Sequence, residues 1–246
     1  MYMIINNLKT RTLIIFLLAG TIVLTTTMAQ AQSASKSTRI GLRLGGNINK
    51  VVTSYEGKSE SGDGSLDFHA MLTADFRLIN NLYLSTGAGF ITKGDGSDYH
   101  DEWEGKRYRS ITSLSYIEVP LLASYVFPVS KKFRVRADVG PYVAYGLFGK
   151  SVSKKVSSSG LLAGIFEKGE DYGDPFKKDE DDDYAACKRL DYGLRFGGAF
   201  ELGKFTVGAS YDLGLANILD GPSEYFSHHN IKSSTRALLV SIGLNF

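Results

Sequence analysis

Residues 190–215 read LDYGLRFGGAFELGKFTVGASYDLGL, and this stretch decides the fold class. Leucine, tyrosine and phenylalanine recur at alternate positions, with glycine or charged residues between them, on both sides of Gly203-Lys204. A period of two is typical of a β-strand whose two faces meet different surroundings. The short polar break is typical of a tight hairpin turn. The stretch therefore predicts two antiparallel strands, 190–202 and 205–215.

The same alternation recurs in other parts of the chain. It covers residues 39–50, 67–78, 82–93, 111–127, 133–147 and 235–246, which raises the predicted total to about eight strands. The connections alternate between tight turns and long loops, the loops being about 51–66, 94–110, 149–188 and 216–234. Outer-membrane barrels have this asymmetry, with short periplasmic turns and long external loops. We predict an all-β fold, a closed antiparallel up-and-down transmembrane barrel.

Alternation alone leaves open whether the apolar face meets lipid or lines the cavity of a soluble, lipocalin-like barrel. The polar face favours the membrane barrel, because it carries glycines and charges of both signs where a soluble barrel would carry lysine, glutamate, serine and threonine. An eight-stranded lumen is filled by side chains, and charges buried there must be paired. The predicted lumen charge network is Arg39, Arg43, Asp75, Arg77, Glu118, Arg134, Arg136, Asp138, Arg195, Glu201 and Asp212.

The apolar face also suits a lipid environment. It lacks lysine and glutamate across the middle of the strands, and a cation at the bilayer midplane costs about 2–4 kcal/mol. An open sheet would leave unpaired backbone groups in hydrocarbon. We therefore expect the first and last strands to pair with each other.

The N-terminus predicts export. Lys9 and Arg11 precede an apolar run at 13–24, and Ala29-Gln30-Ala31 follows it, as in a secretory signal peptide. An N-terminal membrane anchor is the alternative, but the run is shorter than the ~20 residues that a spanning helix needs. We predict a signal peptide at 1–31 and one barrel domain at 32–246. Removing Lys9 and Arg11 lowers the formal net charge from +2 to 0, which argues against a nucleic-acid partner.

Several strand segments carry a family resemblance. They are Tyr116–Leu122 (YIEVPLL), Gly140-Pro141-Tyr142, Tyr211–Ile218 (YDLGLANI) and the terminal Ile242–Phe246 (IGLNF). In this order they resemble the PorT-like outer-membrane β-barrel family of the Bacteroidota, over nearly all of the mature chain. The resemblance implies an eight-stranded outer-membrane barrel in which Pro120 and Pro141 mark bends or bulges. Most members have no assigned activity, and one is implicated in type IX secretion.

Two groups of side chains suggest binding. The first is an acidic run whose candidate metal ligands are Asp179, Asp181, Asp182 and Asp183. The carboxylate oxygens of this run suit Ca²⁺ or Mg²⁺, but the run lacks EF-hand spacing. The alternative is a solvated acidic loop that contacts lipopolysaccharide through shared divalent ions. The second, Tyr99, Trp103 and Tyr108, suits a glycan or protein partner, or a folded loop tip or an interfacial anchor.

The chain shows no set of catalytic residues, because His69 is expected in the lumen network and no nucleophile or carboxylate pair accompanies it. We expect a non-enzymatic integral barrel without cofactors or bound metal, whose external loops bind an envelope partner. The alternatives are a narrow channel or a transport or secretion component and, less favoured, an outer-membrane enzyme. The expected partners are the bilayer, lipopolysaccharide and the barrel-assembly machinery, for which Phe246 is the terminal insertion signal.

Overall fold

The computed structural model describes residues 38–101, 106–156, 169–177, 186–220 and 231–246. Residues Arg39–Phe246 form one compact unit, the barrel. All regular elements in the described ranges are β-strands. Within those ranges, no helix has the length and apolarity needed to span a bilayer.

Twelve strands follow one another in the part of the chain that the structure describes. They are β1 Thr38–Tyr55, β2 Lys58–Ser61, β3 Ser65–Ile79, β4 Leu82–Asp101, β5 Lys106–Pro128, β6 Phe133–Val156, β7 Gly169–Asp171, β8 Ala186–Cys187, β9 Leu190–Leu202, β10 Phe205–Gly214, β11 Leu219–Asp220 and β12 Lys232–Asn245. Eight of them, β1, β3, β4, β5, β6, β9, β10 and β12, pair in that order to form the barrel wall. The predicted all-β, up-and-down architecture is confirmed.

The ring closes between the first and last strands. β1 pairs antiparallel with β12, from Gly41 opposite Asn245 to Ser54 opposite Lys232. The Phe246 amide adds a hydrogen bond to the Ile40 carbonyl at 2.8 Å. Closure matters because a barrel without edges satisfies every backbone group of its wall internally.

The two faces of the wall differ as a membrane barrel requires. Outward-facing side chains are apolar and exposed, among them Phe68 at 59%, Phe200 at 60% and Ile242 at 66%. The inward face holds fully buried carboxylates, with Glu118 and Asp212 both 0% exposed. This arrangement is the reverse of a soluble barrel, whose apolar face is inside.

The connections lie at two different ends of the barrel. At the turn end, β3–β4, β5–β6 and β9–β10 are joined by tight turns, two of which place Asn80 (φ 40°) and Gly203 (φ 61°) in the left-handed region. At the loop end, the longer connections carry β2, β7, β8 and β11. The predicted alternation of short and long connections matches this division.

The predicted boundaries of the long loops are wrong, because strands continue into them. β4 and β5 stay paired to Asp101 opposite Lys106, and β5 and β6 stay paired to Arg107 opposite Val156. Loops 51–66, 94–110, 149–188 and 216–234 all contain strand residues. Apolar and polar residues alternate along a strand only when its two faces meet different surroundings. Where both faces of the sheet are polar, the backbone pairing continues, but the sequence pattern that predicts a strand disappears.

Pro120 and Pro141 mark a break in the pairing of β5 with β6 but not a bulge. Pro120 stays in register opposite Tyr142, Pro141 stays in register opposite Leu194, and the β5–β6 pairing resumes at Ala123 with the register unchanged. The register shift between β5 and β6 falls instead between Ser115 and Tyr116.

Candidate functional site

The inner face of the barrel carries two clusters of charged side chains, an upper cluster towards the loop end and a lower cluster towards the turn end. The upper cluster is Lys93, Glu118, Asp191, Arg195 and Asp212. The lower cluster is Arg39, Asp75, Arg134, Arg136, Asp138 and Glu201. Each cluster draws its members from several strands that are distant in sequence.

The upper cluster is a buried network of ion pairs. Arg195 bonds Glu118 through Nη2 and Asp212 through Nε, the latter at 2.6 Å. Lys93 Nζ lies 2.9 Å from Glu118 Oε2 and 3.1 Å from Asp191 Oδ2. All five side chains are at most 6% exposed. Such charges are stable in a protein interior only when they are paired in this way.

Neutral groups complete the upper cluster. The Thr235 hydroxyl donates to Asp191 Oδ2 at 3.0 Å, and the Tyr142 hydroxyl reaches the same oxygen at 3.4 Å. Lys93 Nζ also lies 4.0 Å from the centroid of the Tyr142 ring, within range of a cation–π interaction. Lys93 is therefore held by carboxylates and by an aromatic ring.

The lower cluster is organised around Arg136. Its Nη1 lies 2.7 Å from Asp75 Oδ2, and its Nε lies 2.6 Å from Asp138 Oδ1. Arg39 bridges Asp75 at 3.1 Å and Glu201 at 3.0 Å. Arg136 Nη2 also donates to the hydroxyls of two serines, Ser85 at 2.6 Å and Ser124 at 2.9 Å.

An apolar plug covers the upper cluster at the loop end. We define the plug as Phe176 together with Ile91, Leu114, Tyr116 and Ile218, all of which are buried. The Phe176 ring packs edge-on against Tyr116, with centroids 5.7 Å apart. It occupies the space beside Gly146, where a β-carbon would collide with the ring. The absence of a side chain at Gly146 therefore lets Phe176 enter the barrel mouth.

A cavity of about 110 Å³ lies between the two clusters. Its lining includes Arg43, His69, Thr73, Arg136 and Arg195. His69 Nδ1 lies 3.3 Å from Asn47 Oδ1, as expected for a member of the interior network. A cavity of this size that contains charged side chains accommodates a few water molecules.

The structure brings most of the predicted lumen charges together, with three differences. Arg77 is exposed, and its Nε donates to the Asn80 carbonyl, so its assignment to the lumen is wrong. Arg77 occupies the last inward-facing position of β3, which lies at the turn end, and water therefore reaches its side chain. Arg134 pairs with Glu201 at 2.9 Å but is 33% exposed at the rim. Arg43 bonds Asn245 Oδ1 at 2.7 Å rather than a carboxylate.

Two members of the upper cluster, Lys93 and Asp191, are absent from the predicted lumen network. Both obey the alternation that identified the others, since Lys93 follows Gly89 and Ile91 on β4, and Asp191 precedes Arg195 on β9. Both lie where the predicted strands ended or began, and end positions of a strand carry no information on burial. The pairing partners come from distant strands, which only the closed ring brings together.

The candidate metal ligands Asp179, Asp181, Asp182 and Asp183 lie outside the described residues, as does Trp103. In the described ranges, no three histidine, cysteine or acidic side chains are grouped as a metal site requires. Asp171, at the start of the acidic stretch, forms an exposed ion pair with Lys150 at 3.0 Å.

Phe246 lies at the turn end with 71% of its surface exposed.

Comparison with known proteins gives a family match. The family model for the outer membrane protein beta-barrel domain matches residues 29–220. A search of curated proteins finds no match.

Several solved structures resemble the chain at low identity. Ail, the attachment invasion locus protein of Yersinia pestis, solved in complex with the heparin analogue sucrose octasulfate, is 13% identical over 85% of this chain and 99% of its own, with a TM-score of 0.38. OprG from Pseudomonas aeruginosa is 11% identical over 85% and 96%, with a TM-score of 0.42. Neisserial surface protein A is 9% identical over 83% and 95%, with a TM-score of 0.33.

Proposed function

The chain belongs to the outer membrane protein beta-barrel domain family and is an integral outer-membrane protein. We propose that it is a non-conducting barrel whose external surface binds a partner in the cell envelope. In such barrels the long loops are external and the short turns are periplasmic. The loop end therefore faces the outside of the cell, and the plug is the outer seal of the lumen.

The stacking of the plug on the upper cluster carries this proposal. Glu118, Asp191 and Asp212 are 0% exposed, so the upper cluster leaves no path of water beside them. An ion crossing this level would have to separate buried pairs, and leaving one buried charge unpaired costs about 3–5 kcal/mol. A sealed lumen leaves the two ends of the barrel, and above all the large external surface, for binding.

Single-channel recording in planar bilayers tests the sealed lumen. We expect no conductance steps from the native protein or from Phe176→Ala, because the upper cluster still closes the lumen beneath the missing ring. The combined variant Phe176→Ala/Lys93→Ala/Arg195→Ala removes both seals and should conduct, provided that it still migrates as a folded barrel on unboiled SDS gels. Conductance steps from the native protein would overturn the proposal.

The 110 Å³ cavity supports a second candidate function, a narrow channel that opens under some condition. In that case the cavity would be a section of the path, and Arg43, which bonds Asn245 rather than a carboxylate, would favour anions. Reversal-potential measurements in a potassium chloride gradient would then show anion selectivity that Arg43→Gln lowers.

The strand motifs YIEVPLL, GPY and YDLGLANI support membership of the PorT-like group of the Bacteroidota. Under this proposal the envelope partner is a component of the secretion machinery, and the bilayer, lipopolysaccharide and the barrel-assembly machinery are the further partners. No catalytic role is included, because the carboxylates of the upper and lower clusters are engaged in ion pairs. Affinity purification of the tagged full chain from its own envelope, with quantitative mass spectrometry, would test the partner.

A further inference from the structure

Beyond the barrel ring, β4, β5 and β6 continue as a polar sheet to which β7 is added. We call this sheet the extension: residues 94–101, 106–114, 149–156 and 169–171. A strand needs about 9–11 residues to cross a bilayer, whereas β5 has 23 and β6 has 24. The extension therefore stands outside the membrane on the cell-surface side.

Tyr99 lies flat across one face of the extension. It is directly opposite Tyr108, and the two rings stack with centroids 5.4 Å apart and planes 13° apart. The Tyr99 hydroxyl hydrogen-bonds Ser153 Oγ at 3.0 Å. Because Tyr99 is on β4 and Ser153 is on β6, the Tyr99 ring must cross β5. The ring is fixed at both ends and is 47% exposed, so one of its faces is presented to water.

A third tyrosine flanks the same face. The Tyr172 amide donates to the Ser151 carbonyl at 2.9 Å, which continues the β6–β7 pairing by one residue. Its side chain is 66% exposed, and its hydroxyl donates to Glu170 Oε2 at 3.3 Å. Because Tyr172 continues the row of Thr112 and Ser151, it lies on the same face of the sheet as Tyr99.

Hydroxyl groups lie between the tyrosines. Ser97, Ser110 and Ser153 are consecutive across β4, β5 and β6, and Glu170 follows them on β7. In the next row the Thr112 hydroxyl hydrogen-bonds Ser151 Oγ at 3.0 Å. We call this surface the tyrosine platform: Tyr99, Tyr108 and Tyr172 with Ser97, Ser110, Ser151, Ser153 and Thr112. Its rings are held by the sheet before any ligand arrives, which lowers the entropic cost of binding.

The charges in the rows of the tyrosine platform are of both signs: Asp95, Lys155 and Glu170. The ion pairs Lys150–Asp171, at 3.0 Å, and Arg109–Asp98, at 2.6 Å, lie on the opposite face of the same sheet. Lys155 lies opposite Tyr108, and Glu170 lies opposite Ser153. A polyanion needs a surface of one sign, and the platform does not provide it. An uncharged ligand rich in hydroxyls fits these surroundings better.

We propose that the tyrosine platform is a binding site for neutral oligosaccharides built from pyranose rings. One face of such a ring carries several C–H groups, whose partial positive charge is attracted to the negative face of an aromatic ring. The equatorial hydroxyls of the sugar then meet the serine and threonine hydroxyls and the Glu170 carboxylate. The inference rests on the proposed external binding role and names the class of partner.

Binding of purified full-length protein in detergent to immobilised sugars tests the proposal. The probes are cellohexaose, mannohexaose and N-acetylchitohexaose, with a heparin hexasaccharide as the polyanion. We expect binding to at least one neutral probe, and Tyr99→Ala and Tyr172→Ala should each weaken it at least about tenfold. Tyr99→Phe keeps the ring but loses the Ser153 hydrogen bond, so it should weaken binding less than Tyr99→Ala.

Tyr192→Ala is the matched control, since Tyr192 is equally exposed, at 49%, on the lipid-facing side of β9. Each variant is first shown to be folded by its shift in mobility on boiling. If Tyr99→Ala does not fold, the result for Tyr172→Ala decides, because Tyr172 lies beyond the end of β7 and its substitution does not interrupt a strand. Binding to heparin alone, no binding to any neutral probe, or neutral binding that survives loss of both tyrosines would overturn the proposal. The two proposals fail separately. If the barrel does not conduct but gives one of these binding results, only the sugar-binding proposal is overturned. If the barrel conducts and binds a neutral sugar, only the proposal of a sealed lumen is overturned.

Discussion

Arginine and lysine hold the lumen together in different ways. Arg195 uses its planar group to bind Glu118 and Asp212 at once, and Arg136 similarly spans Asp75 and Asp138. Lys93 acts as a compact charge at the centre of carboxylates from three other strands, with distances of 2.9, 3.1 and 3.7 Å. The rigid fork of arginine suits paired carboxylates, whereas lysine suits a converging set.

Arg195→Met tests how much the upper cluster contributes to stability. The substitution leaves Glu118 and Asp212 buried with fewer partners, and we expect a loss of about 3–5 kcal/mol in the free energy of unfolding. Urea unfolding of the protein in lipid vesicles measures it. Arg77→Met is the matched control, because the Arg77 side chain is exposed and bonds one backbone carbonyl; its effect should stay within about 0.5 kcal/mol. Equal losses in the two variants would contradict a special role for the buried pairs.

At the scale of elements, residues 174–176, which follow β7, hold the plug in place. Asp174 Oδ1 accepts hydrogen bonds from the amides of Gly149 at 2.9 Å and Phe176 at 3.0 Å. The Cys187 amide donates to the Pro175 carbonyl at 2.7 Å, which ties the segment to β8. The plug is thus fixed by backbone contacts as well as by the packing of Phe176.

The reactivity of the Cys187 thiol measures how well the plug shields the loop end of the lumen. Burial, with the carboxylates of Asp174 and Asp220 adding to it, raises the pKa of this thiol to about 11. The thiolate is the reactive form, so alkylation by iodoacetamide at pH 8 should be at least about a hundredfold slower in the folded barrel than in urea. The folded-state rate should rise with pH and level off only near the raised pKa.

Phe176→Ala should speed this alkylation, because the cavity it leaves admits water and reagent beside Cys187. Phe148→Ala, which removes an exposed aromatic ring from the lipid-facing side, is the control and should leave the rate unchanged. A Phe176→Ala protein that is alkylated as slowly as the native one would show that the plug does not shield this end of the lumen.

At the scale of the whole molecule, closure of the ring depends on the last strand. β12 pairs with both β10 and β1, so no other strand can replace it. Phe246 extends past it, makes one backbone hydrogen bond to Ile40 and exposes most of its ring. This ring contributes little to packing, and we propose that the assembly machinery recognises it.

Deleting Phe246 separates recognition from stability. We expect the truncated chain to refold in detergent with an unchanged mobility shift on boiling, while the fraction assembled in cells falls about tenfold. Phe246→Trp should restore assembly, and Phe205→Ala, which removes another exposed ring at the turn end, should have little effect. Loss of refolding in detergent as well would show that Phe246 acts through stability.

The alternation of residues was enough to predict the strands and the side of the wall on which each side chain lies. The hairpin 190–215 was predicted with its observed turn, because a tight turn between two alternating runs leaves one register that keeps the apolar residues on one face. Most of the lumen charges followed from the same alternation. Where the extension leaves the bilayer, the pattern vanishes, and the predicted loop 94–110 proved to be largely strand.

Which residues are in contact became clear from the folded chain alone. Lys93 contacts Asp191 at 98 residues' separation, and Phe176 reaches the barrel mouth from a segment without periodicity. The stacking of Tyr99 on Tyr108 and its contact with Ser153 depend on how three strands align. The sequence determines the facing of a residue because facing follows from a local period of two, whereas contacts inside a closed ring depend on the register and number of all the strands together.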